Sequence, residues 1–328
     1  MRHGLIAVGI RIVAIAAVMT GLPLAAQGQP AYPVKNIRVI VPSPTGGPSD
    51  IVARLLGDKL TQALGKQVVV DNRVGASQII GSHIVAKADP DGYTIGVVGN
   101  AISSAPLLLP VAPFDPAQDF SPISLLMSTP LVLVTGVNSP YRSVAEYVAE
   151  ARAKPGQIAF ASGGNATMGH LLAEQLQAHA GLKLIHVPYK GGGPALIDVL
   201  AGHVPVFFDT LTTSAKLVQE KKLRALAIAR SARSPALPGV PTLAESGYPE
   251  IQGMGWFAIV APANTAREIV AKLNDEAGKA LNTPEIGERI GALGGTIEGG
   301  PPGVLADLIR SEMPRWARLI RERGIRGQ

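Results

Sequence analysis

Pro42-Ser43-Pro44-Thr45-Gly46-Gly47-Pro48-Ser49-Asp50 separates an extended apolar stretch, Ile37-Arg38-Val39-Ile40-Val41, from a segment of helical period. In that segment, residues 51–64, Val52, Leu55, Leu56, Leu60, Ala63 and Leu64 share one helical face. The reading is strand, Gly-rich turn and helix, the unit from which α/β folds are assembled. Such a turn aims unpaired backbone N–H groups at whatever lies above the helix N-terminus, where the helix dipole favours negative charge. A plain tight connection would have the same composition. The turn is not a P-loop, because no Lys followed by Ser or Thr comes after the glycines, and its glycine spacing is not that of a dinucleotide fingerprint. Asp50 reads as support for the helix start, since its own charge would repel an anion.

The layout recurs at Ser162-Gly163-Gly164-Asn165-Ala166-Thr167, between Ile158-Ala159-Phe160 and a helical segment over 171–180. Two such turns on separate βα units suggest one carboxylate held between them. Ser162, Asn165 and Thr167 are the side-chain donors of the second turn, residue types that serve equally as helix caps.

Strands alternate with helices along most of the chain. Extended stretches are read at 67–70, 93–98, 184–187, 204–208 and 224–229, and a helix at 195–201 follows Pro188-Tyr189-Lys190-Gly191-Gly192-Gly193. Capping boxes are read at Ser143–Glu146, Thr242–Glu245 and Thr265–Glu268. The last helix runs from about Val304 to Arg323, with Pro314 expected to kink or split it. The alternation predicts an α/β protein with mainly parallel sheets flanked by helices. Two extended passages, Ile123–Val134 and Met254–Ala261, lack an accompanying helix and are read as crossovers between two lobes with a ligand cleft between them. The expected division is lobe 1 from 29–128 plus 257–328 and lobe 2 from 129–256.

Residues 1–28 read as an export signal: Arg2 and Arg11, an apolar run over 12–19, then Leu24-Ala25-Ala26-Gln27-Gly28. Cleavage after Ala26 puts Leu24 at −3, and cleavage after Gly28 puts Ala26 there, the better fit. The net charge of +6 falls to +4 with the leader, which carries two arginines and no acidic residue. That mild excess reads as a solvated surface. No basic stripe interleaved with aromatics argues for nucleic acid, and aromatics are only 4% of residues.

The chain has no cysteine, which excludes disulfides, thiol nucleophiles and Cys-ligated zinc. The histidines at 83, 170, 179, 186 and 203 show no metal-binding spacing, and no Gly-x-Ser-x-Gly elbow exists. His170, eight residues after Ser162, is poorly placed as a general base and reads as a packing residue. Asp209, after Val206-Phe207-Phe208, lies where open α/β sheets place their ligand crevice. It could accept a hydrogen bond from a ligand hydroxyl or amine, or cap the next segment. No enzyme activity, cofactor or metal is expected.

Over essentially the whole mature length the sequence resembles the solute receptors of tripartite tricarboxylate transporters, the Bug receptors. The resemblance is carried by Tyr32-Pro33-Val34-Lys35-Asn36-Ile37-Arg38, Gly46-Gly47 with Asp50-Ile51-Val52-Ala53-Arg54, Asp71-Asn72-Arg73 and Pro90-Asp91-Gly92-Tyr93-Thr94. It continues through His186-Val187-Pro188-Tyr189-Lys190-Gly191, Phe208-Asp209, Arg233-Ser234-Pro235-Ala236-Leu237-Pro238 and Val240-Pro241-Thr242. It implies a two-lobed periplasmic binding protein of type II-like fold, a monomer that closes on a small carboxylate and docks to membrane subunits. Carried over by position, the ligand-binding residues are Ser43, Pro44, Thr45, Gly46 and Gly47 on one lobe. On the other they are Ser162, Asn165, Ala166 and Thr167, with Asp209 nearby. Five positions depart from the family pattern: Ser43 replaces Phe, Val74 replaces Pro, Ser77-Gln78 replaces a Gly pair and Ala166 replaces Gly. A receptor signalling to a sensor kinase is the alternative among binding proteins; a periplasmic hydrolase or lyase is the alternative among enzymes.

Overall fold

The computed structural model describes residues 32–327, so the expected leader at 1–28 lies outside the described residues. The deciding stretch folds as read, with β1 (Ile37–Val41) entering the turn and α1 (Pro48–Leu64) leaving it. The helix starts three residues earlier than its apolar period, because Pro48 at the first helical position has no N–H to leave unpaired. It stops at Gly65, whose left-handed φ of 65° lets its N–H return to the Thr61 carbonyl.

Next come β2 (Val68–Asn72), a 3-10 turn (Ala76–Gln78), α2 (Ile79–Ala86), β3 (Thr94–Gly99), α3 (Ala101–Ser104), a second 3-10 turn (Ala105–Leu108) and β4 (Phe120–Gly136). The middle of the chain supplies α4 (Val144–Ala153), β5 (Ala159–Ser162), α5 (Met168–Ala180), β6 (Ile185–Pro188), α6 (Gly192–Ala201), β7 (Phe207–Thr210), α7 (Leu211–Gln219) and β8 (Leu223–Ile228). The remainder is β9 (Met254–Pro262), α8 (Arg267–Leu281), α9 (Pro284–Ala292), β10 (Thr296–Gly299) and α10 (Pro302–Arg323). The strands run in the order β2-β1-β3-β9-β4-β7-β5-β6, with β8 and β10 also on β4. The parallel ladders expected from the βα alternation are those of β1 with β2 and β3, and of β5 with β6 and β7. The two passages read as crossovers, β4 and β9, pair antiparallel with each other from Phe120↔Pro262 to Pro130↔Met254. Beyond that point β4 continues alone and pairs with β7 and β8.

Both faces of the ladder are covered, which is why the strands read as nearly continuous apolar runs. Val39, Val41, Ile95 and Ile259 pack on α1 and α8 through Leu56 and Leu273. The alternate residues Ile40, Val98 and Val260 face Val85, Ile102, Leu305 and Ile309 on the other side. In the β5–β7 region, Phe160 and Phe208 pack against Tyr147, Leu171 and Trp316, while Phe207 and Val132 pack against Ala195, Val199 and Leu211.

Three local expectations need correction. Pro314 does not split α10, which is continuous from Pro302 to Arg323. The proline is on the exposed face, where the unpaired carbonyl one turn back meets water, while Ile309 and Trp316 anchor the helix on either side. Thr242 and Glu245 make both capping-box bonds, at 3.0 and 2.7 Å, yet the segment closes only a turn. Thr265 caps nothing: its buried hydroxyl donates back to the Pro262 carbonyl at 2.8 Å, and Ala266 begins α8 without a side-chain cap. Ser143 does accept the Glu146 N–H, as read. Among the described residues, no helix is long and apolar enough to cross a membrane.

Candidate functional site

A cavity of about 270 Å³ opens where the β1–α1, β5–α5 and β6–α6 turns meet the end of β7. This is the C-terminal edge of the parallel strands, where carbonyl and amide ends are not consumed by the ladder. Ser43, Pro44, Thr45, Gly46, Gly47, Thr167 and Asp209 line it.

The first turn is built from beneath by Asp50, which is buried. Its carboxylate accepts the Gly46 N–H at 2.9 Å, the Asn72 amide at 3.0 Å and Arg54 Nε at 3.1 Å. Burial raises its pKa, but the bonds from Arg54, Gly46 and Asn72 outweigh it, and the carboxyl stays below its ordinary value. Asp50 is therefore the support it was read to be. The same bond removes the Gly46 amide from the donors free for a ligand. Gly46 needs its glycine, with φ at 80°. Gly47 does not: its φ is −76° and an added Cβ would meet nothing closer than 3.4 Å. The N–H groups of Ser49 and Asp50, in the first turn of α1, have no intrahelical acceptor.

The second turn divides differently. Thr167 reaches the cavity, but its hydroxyl donates to the Gly164 carbonyl at 2.8 Å. Ser162, Asn165 and Ala166 lie behind the wall and do not line the cavity. Ser162 is fully buried, with Oγ 2.6 Å from His186 Nε2 and accepting the Gly164 N–H at 3.1 Å. Asn165 donates to the Arg326 carbonyl at 3.0 Å, and Ala166, at φ 55°, donates its N–H to His170 Nδ1 at 3.0 Å. These three shape the turn; the amides it presents to the cavity belong to Met168 and Gly169 at the start of α5.

The Ser162–His186 contact resembles a nucleophile–base pair, but its chemistry is wrong. Burial, helped by neighbouring His170, pushes the His186 pKa down to about 3, so the ring is a feeble base. It is stacked against both Phe160 and His170, with centroids 4.9 and 3.7 Å away. Asp209 is buried too, and desolvation lifts its pKa to about 6 against the hydroxyls of Ser214 and Thr213, which hold Oδ2 at 2.6 and 2.5 Å.

These two shifts act on stability with opposite sign. Below pH 6.5 the unfolded chain protonates His186 and the folded chain refuses the proton until about pH 3, so stability falls by about 1.4 kcal/mol per pH unit on acidification. Asp209 keeps its proton in the folded chain up to about pH 6, whereas the unfolded chain loses it at 3.8, so acidification across that interval restores stability. Asp209→Asn should therefore make the thermal midpoint of the ligand-free protein fall more steeply between pH 6 and 4 than in the wild type. Superimposable pH curves would show that the buried carboxyl does not titrate there.

Several lining residues escaped the sequence reading. Gly192 and Gly193 open α6, the third helix N-terminus at the cavity, and an added Cβ at Gly192 would lie 3.5 Å from Asp209 Oδ1. Their signal was present, three glycines directly before a helix. Ser77, Gln78 and Lys190 add polar side chains, and Leu131, Phe207 and Phe257 add apolar surface. Across the cavity mouth the two walls nearly touch. A Cβ on Gly191 would sit 2.6 Å from Pro44, and one on Gly164 would sit 2.7 Å from Ser77 Oγ. Among the described residues, no group of three potential ligands could hold a metal ion.

A model of the tripartite tricarboxylate transporter family receptor matches residues 52–325. Among related sequences, protein BugT of Bordetella pertussis is 39% identical over 298 residues, covering 89% of this chain and 90% of BugT. Among solved structures, Rpa4515 of R. palustris, determined with adipate, is 31% identical with a TM-score of 0.86, covering 90% of this chain and 99% of that one. MatC of Rhodopseudomonas palustris, with bound malate, is also 31% identical, with a TM-score of 0.84 and coverage of 88% and 100%. With this fold, and a cavity ringed by helix N-termini, the chain belongs to the receptor family of the tripartite tricarboxylate transporters, the periplasmic solute-binding proteins that include BugT.

Proposed function

We propose that this periplasmic solute-binding receptor captures a small carboxylate by closure of two lobes and presents it unchanged to the membrane subunits of a tripartite tricarboxylate transporter. Dicarboxylates, tricarboxylates, acidic amino acids and aromatic acids are the ligand classes. The observation that carries this reading is the convergence of the α1, α5 and α6 N-termini on one cavity. Asp209 already places a carboxyl beside α6, which leaves α1 and α5 for the carboxylate of a ligand. The free amides there belong to Ser49 on one wall and to Met168 and Gly169 on the other. Thr45 and Gly47 contribute surface at the first turn, and Ser162, Asn165 and Ala166 support the second. The cavity volume lies just below the usual range for ligand pockets, which suits a small acid. The adipate of Rpa4515 and the malate of MatC support the same class.

In this reading residues 29–128 with 257–328 form one lobe and residues 129–256 the other. The lobes rotate about β4 and β9, the strands that run between the two halves of the ladder. An export leader at 1–28 carries the monomer to the periplasm, and no bond is made or broken.

Gly47→Val tests the site. The negative φ tolerates valine, and loss of the glycine N-cap should cost only about 1 kcal/mol of folding stability. The branched side chain would obstruct the carboxylate, weakening binding by about 10- to 100-fold. Calorimetric titration with a panel of carboxylates, alongside thermal unfolding, reads both. If no carboxylate binds the wild type, or all bind the variant equally, the ligand lies elsewhere.

A further inference from the structure

Most polar side chains on the cavity wall already have partners within the protein. Ser43 and Ser49 bond each other, and Asn100 holds the Met254 carbonyl and the Trp256 N–H. Thr167 is bonded to Gly164, Thr210 to Thr213, and Thr213 to Asp209. Four lining side chains remain: Thr45 and Lys190 are exposed to water, whereas Ser77 and Gln78 are half-buried. No described residue hydrogen-bonds either of those two. A carboxamide carries two donors and an acceptor, and withdrawing it from water without a partner is unfavourable.

The backbone that presents this pair is a separate observation. Ala76, Ser77 and Gln78 have φ of 45°, 52° and 76°, three successive non-glycine residues in the left-handed region. Each is disfavoured there, and such conformations persist where the surroundings hold them in place, commonly at ligand clamps. The turn brings Ser77 Oγ against Gly164 on the opposite wall and puts Gln78 on the cavity lining.

The geometry points to Gln78, with Ser77 beside it, as the residue that selects the ligand: its carboxamide bonds a second polar group of the bound molecule, distinct from the carboxylate held at the helix N-termini. This rests on the carboxylate reading above. It narrows the ligand to a bifunctional acid, whose second group is another carboxylate, a hydroxyl or a carbonyl. A simple fatty or aromatic monoacid would leave Gln78 unpaired.

The test uses matched acids: succinate with butyrate, adipate with hexanoate, and terephthalate with benzoate. Each is titrated calorimetrically into the wild type and into Gln78→Gly, which suits the left-handed φ and should fold at least as well. The wild type should prefer the diacid in at least one pair, and the variant should lose about tenfold of that preference while keeping its affinity for the monoacid. Gln78→Glu, of the same shape but negative, should lower the preference further. An unchanged diacid-to-monoacid ratio in Gln78→Gly, or a wild-type preference for the monoacid in every pair, overturns the role of Gln78 and leaves carboxylate capture standing. Failure of the wild type to bind any of the six acids, or any other carboxylate, overturns the carboxylate reading itself.

Discussion

Gly191→Ala is expected to weaken ligand binding by between about 10- and 100-fold. The Cβ of the alanine would lie 2.6 Å from both Cδ and Cγ of Pro44, on the opposite wall of the cavity. Overpacking of this kind costs about 1–3 kcal/mol, and each 1.4 kcal/mol is tenfold in the dissociation constant. Gly191 also has φ 113° and ψ 168°, a region essentially reserved for glycine. The two costs separate experimentally. Backbone strain is present whether the walls are apart or together, so it lowers the thermal midpoint of the ligand-free protein. The overlap with Pro44 exists only when the walls meet, so it appears as lost affinity. Pro44→Ala should relieve the overlap and restore part of the binding to Gly191→Ala. Equal loss in the single and double variants would mean that the Pro44 contact plays no part in closure.

Gly169→Ala should damage the fold. Gly169 stands in the first turn of α5, and a Cβ there would lie 2.4 Å from the Phe208 carbonyl oxygen on β7. Neither partner can swing away: one is backbone of a helix and the other backbone of a strand paired with β4. Helix and strand must separate, and the expected loss is about 3 kcal/mol, or about 5 °C in the thermal midpoint of a chain this long. The same shift would move the Met168 and Gly169 amides and reduce affinity. Gly193→Ala is the control, because nothing lies within 4 Å of its added Cβ. A midpoint for Gly169→Ala as high as that of the control would show that α5 can move off β7 at no cost.

The first βα unit was legible because its information is local. Val52, Leu56 and Leu60 repeat at helical spacing, Pro48 and Gly65 mark the ends, and Gly46-Gly47 lies between. The alternation of such units was enough for an α/β fold, and the absence of cysteine decided the chemistry that could not occur. Pairing along β4 was beyond the sequence, because Leu131–Val134 reads as one apolar run whichever strand lies beside it. Thr242-Glu245 and Ser143-Glu146 carry the same motif, yet only the second opens a helix, since a cap bonds the first turn and cannot supply the packing that sustains the rest. Within the cavity, residue type pointed to Ser162 and Asn165, and the family resemblance to Ala166; in the folded chain these three bond His186, Arg326 and His170 instead of lining the cavity. Ser77 and Gln78 stood out in the sequence only as replacements of a Gly pair; that they keep a left-handed φ and line the cavity belongs to the folded backbone and not to either residue type. Spacing and composition determined the elements and the kind of site. Only the tertiary structure decided which amides and side chains face the cavity, because the direction of a hydrogen bond depends on neighbours distant in sequence.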